Sequence, residues 1–168
     1  VFHEMSPRTI LITGATGKVG SALVRHFLHL GDFVIAHGRS EYRLNKLFEF
    51  VPDSPSKALL KTLCIDLMDE DAIRNTVLEL EEKQISVTHL INNARCAAFL
   101  GIDESGIVSR DNFLNEFTLN VILPYELSMT LSSIYQEKFK AIVNIGSQYG
   151  IVAPNPSLYD NPMLDSPI

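Results

Sequence analysis

Apolar and polar positions switch between two periods along the chain, and the switches mark its elements. Thr9-Ile-Leu-Ile12 is an unbroken β-branched and apolar run, the pattern of a strand buried on both faces of a parallel sheet. After it, Ala22, Leu23, Phe27, Leu28 and Leu30 recur on one face of a helix. Residues 32–37 predict a second strand ending at Gly38-Arg39-Ser40, and residues 41–50 a helix with Leu44, Leu47 and Phe48 turned inward. Pro52-Asp-Ser-Pro-Ser56 has no helical potential and reads as a loop. Residues 59–65 predict a third strand closed by Asp66, and residues 68–83 a helix whose acidic start suits its dipole. Residues 87–91 predict a fourth strand running straight into Asn92-Asn-Ala-Arg95, and residues 97–111, with Gly101 and Gly106, read as loop. A long helix is expected over about 111–136, with a bend or a fresh start near Pro124, which removes one backbone hydrogen bond. Residues 141–145 predict a fifth strand closed by Gly146-Ser147. From 148 to 168 the prolines at 154, 156, 162 and 167 predict an extended loop.

Strands alternating with helices imply right-handed crossovers and a single α/β domain over residues 1–168. The simplest arrangement is three-layered and doubly wound, with a parallel sheet in the order 3-2-1-4-5. Ligands of such sheets sit at the carboxyl ends of the strands, where the order reverses between strands 1 and 4. The turn after strand 1, Arg39, Asp66, Asn-Asn-Ala and Ser147 all follow strand ends and so converge there. That turn carries Gly14, Gly17 and Gly20 at three-residue spacing. The first lets the chain leave the strand sharply, the second admits a pyrophosphate to the backbone, and the third brings the helix close to the sheet. The free N–H groups at the helix start then face the anion. Gly14, Thr16, Gly17, Lys18, Val19 and Gly20 are therefore candidate dinucleotide-binding residues; a turn with glycines for steric reasons alone is the alternative.

Composition narrows the partners. With 168 residues, 46% hydrophobic and 20% charged, the chain is long enough to bury a real core. A net charge of −6 and a pI near 5.3 argue against nucleic acid or an anionic membrane as partner. No apolar stretch has membrane-spanning length and no signal peptide is visible, which makes the cytoplasm the default location. The proposed strand order sets Cys64 and Cys96 roughly 14 Å apart, too far for a disulfide, so both are expected as free thiols. The five histidines show no metal-ligand spacing.

Thr13-Gly-Ala-Thr-Gly-Lys-Val-Gly20, Asp66, Asn92-Asn-Ala94, Asn120 and Ile142-Val-Asn-Ile-Gly-Ser147 together resemble the short-chain dehydrogenase/reductase family, which has an NAD(P)-binding Rossmann fold. The resemblance covers nearly the whole chain, and Asn-Asn-Ala after the fourth strand is its most specific piece. It implies that Asp66, with Leu67, contacts the adenine, and that Asn92, Asn93 and Ala94 line the cofactor and brace the sheet. It further implies that Asn120 holds a water in a proton relay and that Ser147 hydrogen-bonds the substrate carbonyl or hydroxyl. The residues alone leave plainer alternatives: Asp66 as a helix cap, the Asn pair as partners of loop backbone, Ser147 as a turn residue.

The sequence departs from the family pattern twice. Its Gly-x-x-Gly-x-x-Gly spacing is that of the extended, sugar-nucleotide-acting branch, as is Ser147-Gln-Tyr-Gly150 followed by Pro154, whereas Asn-Asn-Ala looks classical. A sugar-like substrate is the guess this hybrid implies. The family's base is Tyr-x-x-x-Lys on a helix, where a lysine one turn on lowers the phenol pKa. The sequence is read as having no such pair. Tyr159 lies twelve residues after Ser147, but position 163 is methionine and Pro162 forbids a regular helix; Tyr149 likewise lacks its lysine.

The resemblance implies an NAD(P)-dependent oxidoreductase moving hydride between nicotinamide and an alcohol or carbonyl carbon of a small-molecule substrate. A sugar-nucleotide epimerase or dehydratase and a non-catalytic dinucleotide-binding protein are the alternatives. NADP(H) is expected over NAD(H), because Gly38 stands where an NAD enzyme places an acid and Arg39 follows, able to grip a 2′-phosphate. Lys18 adds a second positive charge. Family members run to roughly 250 residues, near the upper range of one domain. The chain is therefore expected to be the first two-thirds of a homo-oligomeric subunit, a dimer or tetramer, with its C-terminal strands and its Tyr and Lys beyond Ile168.

Overall fold

The computed structural model of the chain describes residues 8–51, 56–101, 107–147 and 151. The loop expected at 52–56, apart from Ser56, the end of the proline-rich segment, and both Tyr149 and Tyr159 lie outside the described residues. Five strands, β1 (Thr9–Ile12), β2 (Phe33–Gly38), β3 (Leu60–Cys64), β4 (His89–Asn92) and β5 (Ala141–Asn144), form one parallel sheet in the order β3-β2-β1-β4-β5. Helices α1 (Lys18–His29), α2 (Glu41–Asn45), α3 (Ala72–Glu82), α4 (Arg110–Phe117) and α5 (Leu123–Tyr135) connect and cover it. The fold is the doubly wound Rossmann arrangement that the alternation implies, with its order reversing between β1 and β4.

Successive side chains of a strand point to opposite faces, and the core divides accordingly. Ile10, Ile12, Val34 and Ala36 pack on one face against Val24 and Leu28 of α1. Leu11, Ile35, Leu63 and Leu90 pack on the other against Leu80 of α3 and Leu127 and Leu131 of α5. A third cluster, Leu67, Cys96, Leu119 and Leu123, ties the turns after β3 and β4 to the α4–α5 junction. Cys64 is exposed and Cys96 buried, and both are free thiols.

Three elements differ from the periodic reading. The helix expected over 41–50 tightens after Asn45 into a 3₁₀ turn, Lys46–Phe50. The helix expected from 68 starts at Ala72. Before it, the Asp66 carboxylate accepts a hydrogen bond from the Met68 backbone N–H at 3.1 Å, a local turn that competes with helix. The long helix over 111–136 is two helices joined by a π-helical turn, Thr118–Ile122, with Pro124 in the first turn of α5. In a continuous α-helix the N–H of residue 124 would bond the Asn120 carbonyl, and proline has none to give. The helix widens there instead, the Leu123 N–H reaching back to the Thr118 carbonyl.

Candidate active site

The centre of the site is a lock between the ends of β1 and β4. The hydroxyl of buried Thr13 accepts hydrogen bonds from the backbone N–H groups of Asn93 and Ala94, each at 3.0 Å. Asn93 returns the contact, its Nδ2 donating to the carbonyls of Thr13 at 3.0 Å and Gly14 at 3.2 Å. The glycine turn is thus held by the Asn-Asn-Ala segment before any ligand arrives. Gly14 has φ +62°, and a Cβ there would lie 2.7 Å from the Ala94 Cα, so neither conformation nor space admits a side chain. At Gly20 a Cβ would lie 2.3 Å from the Gly14 carbonyl oxygen. The helix therefore sits close against the turn itself, not against the strand. At Gly17 the nearest obstacle is the Gly14 oxygen at 3.4 Å, an ordinary contact. That position is open above the start of α1, whose N-cap is Gly17 itself and whose free N–H groups face outward from it. Lys18 and Val19 are exposed there, while Thr16 is half-buried.

Asn92 braces the sheet. It is buried, and its Nδ2 donates to Asn144 Oδ1 at 2.8 Å and Ser128 Oγ at 3.3 Å, joining β4 to β5 and α5. Leu67 is buried in the third cluster, which leaves its backbone as the part that can meet a ligand. Gly38 ends β2, and Arg39 follows with its guanidinium 3.9 Å from the Asp66 carboxylate and 3.7 Å from Cys96 Sγ. At this distance and exposure the Arg39–Asp66 pair is a weak one, readily exchanged for a stronger anion. Arg43, on α2, donates to the Thr16 carbonyl at 3.2 Å and brings a further positive charge against the glycine turn. Below these residues His37 is buried, its Nε2 2.9 Å from the Ile65 carbonyl and its Nδ1 without a partner among the described residues. Burial pushes its pKa down to about 4, so the ring is neutral and Nε2–H is the donor.

On the far side of the cleft, Ser147 follows β5 and Gly146, exposed. Asn120 lies inside the π-helical turn, with Nδ2 donating to Glu116 Oε2 at 2.6 Å. The Tyr-x-x-x-Lys spacing does occur once, at Tyr42 and Lys46 on the β2 side. There Lys46 Nζ lies 4.5 Å from the Tyr42 ring centroid, an exposed cation–π contact remote in sequence from Ser147.

Arg43, Ser128, Asn144 and Glu116 went unread as site residues. Arg43 was accessible as a second basic residue one turn after Arg39; the other three depend on contacts between distant elements or on burial within a helix.

The family model for short chain dehydrogenases matches residues 8–159. The NADP-dependent 3-hydroxy acid dehydrogenase YdfG of Escherichia coli K12 is 30% identical over 142 residues, covering 84% of this chain and 54% of the relative. A solved 4-hydroxyisoleucine dehydrogenase complexed with NADH superposes with a TM-score of 0.72 at 30% identity, covering 88% of this chain and 58% of that one. Serine dehydrogenase from Escherichia coli gives a TM-score of 0.72 at 25% identity, with 92% and 69% covered. The chain spans about half the length of the curated relatives it matches. With a matching sheet order, a locked glycine turn and these relatives, the chain belongs to the short-chain dehydrogenase family, a family of oxidoreductases.

Proposed function

We propose that this chain carries the cofactor-binding part of an NADP(H)-dependent oxidoreductase that moves hydride between nicotinamide and an alcohol or carbonyl carbon. The observation that carries the reading is the Thr13–Asn93–Ala94 lock, which fixes an open glycine turn at the point where the sheet order reverses. A pyrophosphate fits over Gly17 and the start of α1, the adenine against Asp66 and the backbone of Leu67, and a 2′-phosphate between Arg39 and Arg43. Gly38 leaves no acid to repel that phosphate. YdfG is NADP-dependent by name, whereas the 4-hydroxyisoleucine dehydrogenase was solved with NADH, and the basic pair favours the former. When bound, the nicotinamide supplies the hydride or accepts it.

The chain's own residues divide the remaining work. Ser147 orients the substrate oxygen by a hydrogen bond, and Asn120, whose main-chain carbonyl Pro124 cannot bond, holds the relay water. The family's tyrosine–lysine pair would complete the acid–base set. A sugar-like substrate is proposed from the extended-type glycine spacing. The test is the full-length gene product assayed with NADPH and NADH against aldehydes, ketones and oxidised sugars. Steady NADPH consumption supports the reading. Retained cofactor with no net redox change would move it to an epimerase or dehydratase, and binding without turnover to a sensor or scaffold.

A further inference from the structure

Glu116 is a buried acid in the last turn of α4, 3% exposed. Its Oε2 accepts the 2.6 Å hydrogen bond from Asn120 Nδ2, and its Oε1 has no hydrogen-bond partner among the described residues. Burying a carboxyl group with one oxygen unmatched costs stability, and a leucine of similar size would fill the place without that cost. A residue kept at such expense to the fold is explained by what it holds. Both side chains face one hollow, lined by Phe113, Glu116, Phe117, Asn120 and Val121. The pair brackets the start of the π-helical turn, with the acid two residues before it and the amide inside it. With Nδ2 donating to Glu116 Oε2, Oδ1 is left as the end Asn120 presents.

We propose that Glu116 is a positioning residue for Asn120: it fixes the amide orientation, and with it the widened helical turn, for proton transfer. This rests on the oxidoreductase reading above for its catalytic consequence, but not for the contact itself. The experiment uses the full-length protein with Glu116→Leu and Glu116→Gln. Gln keeps an acceptor oxygen for Asn120; Leu removes it.

In Glu116→Leu we expect kcat to fall about tenfold or more while the KM for NADPH stays within about twofold, since the cofactor cleft is untouched. Its melting temperature should equal or exceed that of the wild type, and Glu116→Gln should recover most of kcat. Independently of turnover, the ¹⁵N-resolved side-chain amide signals of Asn120, assigned by their loss in Asn120→Asp, should move in Glu116→Leu and stay near their wild-type positions in Glu116→Gln. A Leu variant with unmoved Asn120 signals, with wild-type kcat, or with a lowered melting temperature that Gln restores would overturn the proposal. If the wild type binds cofactor but turns nothing over, the oxidoreductase reading falls and the amide signals alone decide the contact.

Discussion

The two sides of the sheet-order reversal are built differently. On the β1–β2 side the strands are buried, and the polar groups near the turn, His37 Nδ1 apart, are matched by Thr13, Asn93 and the Ile65 carbonyl. On the β5 side every residue of Ala141–Asn144 is exposed, and Phe113, Phe117, Val121, Tyr125 and Met129 recur on the solvent face of α4, the π-helical turn and α5. The first side is rigid before any ligand binds, as a cofactor cradle needs to be. The second leaves a strand and an apolar helix face uncovered among the described residues.

If that contrast is right, substitutions in the lock should hurt most. Gly14→Val forces a left-handed φ on a branched residue and drives its Cβ into the Ala94 backbone, so it should abolish folding, read as loss of a cooperative thermal transition. Thr13→Val strands two backbone N–H groups and should cost about 3 kcal/mol in denaturant unfolding. Asn144→Ala, on the β5 side, removes one partner of Asn92 and should cost about 1 kcal/mol; an equal or larger loss there would erase the comparison.

The pH dependence of stability tests the same rigid side. His37 has a folded pKa near 4 against an ordinary 6.5, so the unfolded chain takes up the proton first. Stability should be full above about pH 6.5 and fall by on the order of 3 kcal/mol toward pH 4, each unit being worth about 1.4 kcal/mol. Urea unfolding across that range measures it, and His37→Gln should flatten this part of the profile. Arg39→Ala, at the cofactor itself, should weaken NADPH about tenfold, leave NADH nearly unchanged and not alter the melting temperature.

What the sequence reveals follows the same divide. The strands, their order and the need for glycine at position 14 were legible because buried parallel strands read as unbroken apolar runs and a turn at φ > 0 demands glycine. Asn-Asn-Ala was legible as a motif, but its partner Thr13 was not, because that contact joins residues eighty positions apart. The start of α3 was misread because the acidic residues before it suit a helix dipole as well as a turn. Pro124 announced a break, and only the helix register shows that the carbonyl it leaves is that of Asn120. Glu116 gave no signal at all, since a buried acid and a solvated one look alike in sequence.

Gly17 is where a side chain is tolerated by the fold and excluded only by a ligand, so it separates cradle from turn. Calorimetric titration of NADPH and NADH into the full-length wild type and Gly17→Val is the most direct measurement. The account predicts tighter NADPH than NADH binding in the wild type, no measurable binding of either in Gly17→Val, and an unchanged thermal unfolding transition. Wild-type binding in Gly17→Val, or a preference for NADH, would contradict it.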